Sequence, residues 1–171
     1  MALVDFSKRE ITIKLVYYGP ALSGKTTNLQ ALHARLLDRH RSRLLTLDTA
    51  EDRTLFFDLL PLSFQALGGP RVVIKLFTVP GQVMHNNTRR LLLRGVDGVA
   101  FVADSHRAET QANNESFANL HQNLADNGLD PAHVPLVIQF NKRDLPAHTI
   151  RSDEDLERLA QEGREPVITA S

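Results

Sequence analysis

Apolar and polar positions alternate between two periods along this chain. Residues 11–18 form an almost unbroken β-branched and aromatic run, the pattern of a central strand covered on both faces. After Lys25 the period changes. Leu29, Leu32 and Leu36 recur at helical spacing, and the charged cluster Asp38-Arg39-His40-Arg41 closes that helix. Residues 44–47 predict a short strand, and the polar stretch 48–54 a loop whose charge density suits a functional role. Residues 62–67 and 71–79 predict two strands joined by Gly68-Gly69-Pro70, an antiparallel hairpin that Pro80-Gly81 stops.

The second half repeats the alternation. Residues 86–94 predict a helix with Gly95 after it, 98–103 a strand with Asp104 at its carboxyl end, and 107–127 a helix with Phe117, Leu120 and Leu124 on one stripe. Residues 135–140 predict a buried strand. Ser152-Asp153-Glu154-Asp155 resembles a capping box opening a short helix to Glu162, Gly163 ends it, and 166–169 predict a last strand. Outside the hairpin the order is βαβ, so the expected fold is α/β: three layers, a mostly parallel sheet with one antiparallel strand and helices on both faces. Residues 1–171 are read as one domain, and the closing helix that usually follows the last strand of this architecture is not seen before Ser171.

Composition narrows the chemistry. With 171 residues, 42% hydrophobic and 23% charged, the chain has the make-up of an ordinary globular domain. No cysteine is present, which excludes disulfides and thiolate chemistry and fits a cytoplasmic address. Lys+Arg and Asp+Glu stand at 20 each, so no basic field argues for nucleic acid. No signal-peptide core, myristoylation glycine, prenylatable cysteine or membrane-length apolar run is found, and no lipid anchor is expected.

Directly after the first long strand, Gly19-Pro20-Ala21-Leu22-Ser23-Gly24-Lys25-Thr26 fits the G-x-x-x-x-G-K-[ST] phosphate loop. A strand turning sharply into a helix aims successive backbone N–H groups at an anion. Gly19 permits the turn and Gly24 removes a side chain where backbone approaches phosphate. Lys25 reaches outer phosphate oxygens, Thr26 offers its hydroxyl to Mg²⁺, and Thr27 caps the same anion hole. The second motif is Asn141-Lys142-Arg143-Asp144, at the carboxyl end of the strand 135–140, where open α/β sheets bind ligands. A carboxylate at Asp144 can accept from two N–H groups of guanine, a donor pair adenine lacks. Asn141 would hold this segment to the phosphate loop and the Lys142 stem would cover the base.

With both motifs in place, the chain resembles the Ras-like small GTPases, and within them is similar to the bacterial MglA-type group of polarity switches. The resemblance runs over essentially the whole chain. It is carried by V-Y-Y-G-P at 16–20, D-R-T-L-F-F-D at 52–58, T-V-P-G-Q at 78–82, G-V-D-G-V at 95–99 and N-K-R-D-L-P at 141–146. It implies a GTP-hydrolysing switch, slow without help, acting in cell polarity or gliding motility, with Mg²⁺ as cofactor and recruitment to a cell pole. It also implies a roadblock-type (MglB-like) activating protein and polarity effectors as partners. A nucleotide-dependent scaffold with weak catalysis is the alternative.

Carried over by position, the resemblance places Gly19, Leu22, Ser23, Gly24, Lys25, Thr26, Thr27, Thr54, Gly81, Asn141, Lys142, Asp144 and Ala170 around the nucleotide. Thr26 and Thr54 would bind the metal, Gln82 would orient water, and Arg53 would serve as an arginine finger in cis or as a solvated loop arginine paired to Glu51 or Asp52. Two positions depart from the wider family. Thr78 stands where most small GTPases carry an aspartate, for which Asp52 or Asp58 could compensate. Ala21 stands where glycine is typical, and its methyl group is expected to crowd Gln82 and Arg53. Seven histidines show no metal-ligand spacing. Phe56, Phe57, Leu59 and Leu60 fit either a partner surface or core packing, and Arg89, Arg90 and Arg94 read as solvated helix positions.

Overall fold

The computed structural model describes residues 2–36, 43–47, 57–65, 67–81, 85–163 and 165–171. Among them run β1 (Leu3–Asp5), β2 (Glu10–Tyr18), α1 (Lys25–Arg35), β3 (Leu45–Leu47), β4 (Phe57–Gln65) and β5 (Arg71–Thr78). There follow α2 (Asn86–Leu92), β6 (Gly98–Asp104), α3 (Thr110–Asp126), β7 (Leu136–Asn141), α4 (Asp153–Glu162) and β8 (Val167–Thr169). The strands form one sheet in the order β3-β4-β5-β2-β6-β7-β8, with β1 beside the start of β2.

β2 is central because its sequence can be buried on both sides. It pairs in parallel with β5 along one edge and with β6 along the other. Alternate residues then serve opposite faces. Leu15 and Tyr17 pack with Leu29 of α1 and with Leu60, Leu62 and Leu76 on one face. Val16 and Tyr18 pack with Leu92, Leu93, Leu120 and Leu124 of α2 and α3 on the other. Each fully buried leucine contributes about 1.5–3 kcal/mol by leaving water. Two apolar clusters on two sheet faces make the three-layer α/β architecture expected from the pattern.

The hairpin forms, with β4 antiparallel to β5, but its first strand begins at Phe57 rather than at residue 62. The early start follows from alternation: Asp58, Leu60 and Leu62 face inward and are buried, with the charged Asp58 and the Pro61 interrupting the apolar run in the sequence. Leu60 therefore packs in the core, while Phe57 lies 6.0 Å from the Phe77 ring and Phe56 lies outside the described residues. Leu67 belongs to the turn and is fully exposed. β1, which also runs against β2, was not legible because three residues carry too little period to count.

Local signals bound α3 and α4 where expected, while the cluster 38–41 read as closing α1 lies outside the described residues. Ser152 caps α4 by accepting from the Asp155 N–H at 3.2 Å, and Gly128, at φ +73°, turns the chain out of α3. The stretch 107–109 is a 3-10 turn preceding α3 rather than part of it.

Arg89 overturns its reading as a solvated residue. It is 1% exposed, whereas Arg90 and Arg94 face solvent. It lies three and four residues before Leu92 and Leu93, on the buried stripe of α2. No helix among the described residues is long and apolar enough to cross a membrane.

Candidate functional site

The loop after β2 takes the conformation its glycines permit. Gly19 sits at φ +148°, where an added Cβ would lie 2.2 Å from the Val102 carbonyl oxygen. Gly24 sits at φ +93°, where a Cβ would lie 2.2 Å from Asn141 Nδ2. Neither position has room for a side chain. Leu22 is left-handed at φ +60° and almost fully exposed, so the turn between the glycines bulges outward. Ser23 is completely buried.

Gly24 caps α1 without a side-chain bond, and the first turn of that helix carries no acidic residue. Its N–H donors and positive dipole end therefore face the cleft uncompensated by side chains. Lys25 folds back, donating to the Pro20 carbonyl at 2.5 Å and lying 3.5 Å from Ser23 Oγ. Burial, reinforced by the nearby Arg89 cation, lowers its pKa from 10.5 to about 7. A buried ammonium with only neutral acceptors is what an incoming polyphosphate would neutralise.

A cleft of ≈ 610 Å³ opens beside the loop, with Gly24, Lys25 and Thr26 on one wall, Asp58 and Thr78 on another, and Pro80-Gly81 at its rim. Asp58, 5% exposed, is its one carboxylate among the described residues. It accepts three threonine hydroxyls: Thr26 at 2.7 Å, Thr46 at 2.9 Å and Thr78 at 3.0 Å. The Asp58 N–H also donates to Thr78 Oγ1 at 3.0 Å, which locks β4 to β5 at this point. The wider family's aspartate position, here Thr78, is thus hydrogen-bonded to a carboxylate from the neighbouring strand.

Gly81 presses against the loop from the opposite side. A Cβ on it would lie 2.3 Å from the Ala21 Cα and 3.0 Å from the Ala21 Cβ, so the backbones of residues 81 and 21 touch.

The second motif meets the first. Asn141 Nδ2, at the end of β7, donates to the Ser23 carbonyl at 2.9 Å across 118 residues of chain. Lys142, left-handed at φ +64°, reaches the buried Asp104 at 2.6 Å. Asp104 is itself braced by Asn113, which exchanges hydrogen bonds with its backbone N–H and carbonyl at 2.9 Å each. The Arg143 N–H donates to the Ala170 carbonyl at 3.0 Å, which sets residue 170 beside this segment, and Asp144 is exposed. Asn141, Lys142, Asp144 and Ala170 lie outside the cleft wall but join it through the Asn141–Ser23 bond. Thr27 lines the cleft. Arg53, Thr54 and Gln82 lie outside the described residues.

The sequence reading missed a buried polar cluster behind the cleft. Arg89 donates through Nε to the Pro80 carbonyl at 2.8 Å, through one terminal nitrogen to the Gly81 carbonyl, and through the other to Asn119 Oδ1 at 2.9 Å. Its guanidinium lies 5.5 Å from the centre of the Tyr18 ring. The signal was present: a charged residue on an otherwise leucine-bearing stripe.

A glycine-built anion turn at the carboxyl end of a central parallel strand, with helices on both sheet faces, defines a P-loop nucleotide-binding fold. No protein-family model matches the chain. Mutual gliding-motility protein MglA from Myxococcus xanthus (strain DK1622) is 51% identical to it over 146 residues, which cover 85% of this chain and 75% of that protein. The chain belongs to the MglA family of Ras-like small GTPases.

Proposed function

We propose that this chain is a guanine-nucleotide switch that hydrolyses GTP to GDP and phosphate and that acts in gliding motility or cell polarity. The observation that carries the reading is the Asn141–Ser23 hydrogen bond, which joins the N-K-x-D segment to the phosphate loop. Only a ligand with a polyphosphate and a base would need both. Asp144 then selects guanine, because adenine would leave its charge unsatisfied.

The cleft suits Mg²⁺ as well as phosphate. No group of three His, Cys, Asp or Glu side chains is placed to hold a metal ion among the described residues, yet Mg²⁺ with a nucleotide asks for only one or two protein oxygens, the rest coming from phosphate and water. Thr26 supplies a hydroxyl, and Asp58, 2.7 Å from it, supplies the negative charge that Thr78 lacks. In this reading the metal neutralises charge on the phosphates. Thr54 joins Thr26 as a ligand, Gln82 orients water and Arg53 stabilises developing negative charge, roles that rest on the family resemblance.

A weakly catalytic scaffold is the second reading, favoured by the contact of Gly81 with Ala21, which sets a methyl-bearing residue against the glycine whose amide would meet the terminal phosphate. Single-turnover GTP hydrolysis, alone and with a roadblock-type protein of the MglB kind, separates the two. Turnover accelerated by that partner supports the switch, and nucleotide binding without turnover in either condition supports the scaffold. Preference for ATP over GTP in competition would overturn both.

A further inference from the structure

Arg89 has no carboxylate partner among the described residues, although it is buried. Removing a guanidinium from water costs several kcal/mol unless its donors are used. Here they are used on one target. Two of its nitrogens take the consecutive carbonyls of Pro80 and Gly81, at the rim of the cleft, and the third is held by Asn119 of α3. Asn119 is in turn fixed from three sides. It accepts from the Tyr18 hydroxyl at 2.6 Å, donates to Asn86 at 3.0 Å, and lies 3.1 Å from Asn123 Nδ2.

This geometry has a directional consequence. No cis peptide bond occurs among the described residues. In a trans peptide the carbonyl and the following N–H point in opposite directions. With the Pro80 carbonyl drawn inward to Arg89, the Gly81 N–H points away from Arg89, and Gly81 lines the same cleft as Lys25 and Thr26.

We propose that Arg89 is a positioning residue that aims the Gly81 amide at the terminal phosphate of a nucleoside triphosphate, with Asn119 holding Arg89 in register. The inference rests on the switch reading above. Because a diphosphate has no terminal phosphate at that point, Arg89 acts on triphosphate affinity and not on diphosphate affinity.

The test compares Arg89→Lys and Asn119→Leu with the wild-type chain, measuring affinities for GDP and for a non-hydrolysable GTP analogue together with the thermal midpoint. Lysine keeps the charge but can reach one carbonyl and not both carbonyls plus Asn119. The expected result for Arg89→Lys is a loss of about tenfold or more for the analogue with less than about threefold for GDP, because charged hydrogen bonds to the Gly81 segment are lost. Asn119→Leu should follow in the same direction by a smaller factor, and Asn119→Asp, which keeps the acceptor for Arg89, should restore most of the analogue's affinity. Equal losses for both nucleotides would mean that Arg89 only stabilises the fold, and unchanged affinities would remove its role altogether. If Arg89→Lys does not fold, the two Asn119 variants decide by the same criterion. A wild-type chain that binds neither nucleotide would overturn the switch reading itself, whereas normal wild-type binding with an unchanged ratio in the variants overturns only the role of Arg89.

Discussion

The Asp58 carboxylate accepts the Thr26 hydroxyl at 2.7 Å, joining the second residue of α1 to the inward face of β4. It does so while holding Thr46 and Thr78 as well, so three hydroxyls from three other elements converge on one negative charge. A buried carboxylate satisfied only by hydroxyls remains strongly attractive to a cation.

Asp58→Asn removes that charge with almost no change of shape. The Mg²⁺ concentration needed to slow release of a fluorescent GDP by half should rise by about tenfold, one charge–charge interaction at this range being worth ~1–4 kcal/mol. Nucleotide release in the absence of Mg²⁺ should change little. An unaltered Mg²⁺ dependence would remove Asp58 from the metal's surroundings.

The buried Lys25 makes nucleotide binding depend on pH. Empty, its ammonium has a pKa lowered to about 7, and a polyphosphate beside it favours the charged form and raises that value. Between about 7 and the ordinary 10.5, the complex therefore holds a proton that the empty protein has lost. Binding takes up a proton, and affinity falls as pH rises through this window, by up to about tenfold per unit. The empty fold responds in the opposite sense: its unfolded form keeps the proton, so its stability rises with pH over the same range. Calorimetry in two buffers of different ionisation enthalpy at about pH 8.5 measures the uptake directly. Zero uptake would mean that Lys25 is charged before the nucleotide arrives.

Ala21→Gly tests whether the Ala21 methyl group crowds Gln82 and Arg53 beside the phosphate loop. Removing the methyl group should raise the single-turnover hydrolysis rate by a few-fold to about a hundredfold, the range that small displacements of reacting groups command. A variant no faster than wild type would show that Ala21 does not limit the reaction. Gly81→Ala should weaken triphosphate binding, since its Cβ would lie 2.3 Å from the Ala21 Cα.

Asp144→Asn exchanges an acceptor for a donor at the base. GTP affinity should fall by about tenfold or more, and xanthosine triphosphate, whose base carries a carbonyl where guanine carries an amine, should gain relative to it. A GTP preference that persists unchanged would place base recognition elsewhere.

Much of this protein was legible in one dimension because its determinants are local. The turn Gly19–Thr26 depends on glycines at fixed offsets, and the Ser152 cap on a hydroxyl three residues from the amide it meets. The β-branched and aromatic run 11–18 declares a central strand by its composition. What could not be read depends on residues distant in the chain whose meeting is decided by strand register. Asp58 reads in the sequence only as one of two candidates to stand in for the aspartate that Thr78 replaces, and the pairing of β4 with β5 turns it inward towards Thr78 and Thr26. Arg89 looked solvated until α2 packed against α3, where the Pro80 and Gly81 carbonyls and Asn119 could use every edge of its guanidinium. A buried charge is tolerated only where partners converge in three dimensions, so tertiary structure decided that Asp58 and Arg89 are buried at the cleft, while the sequence by itself determined that there would be a phosphate loop, with its Lys25, for them to serve.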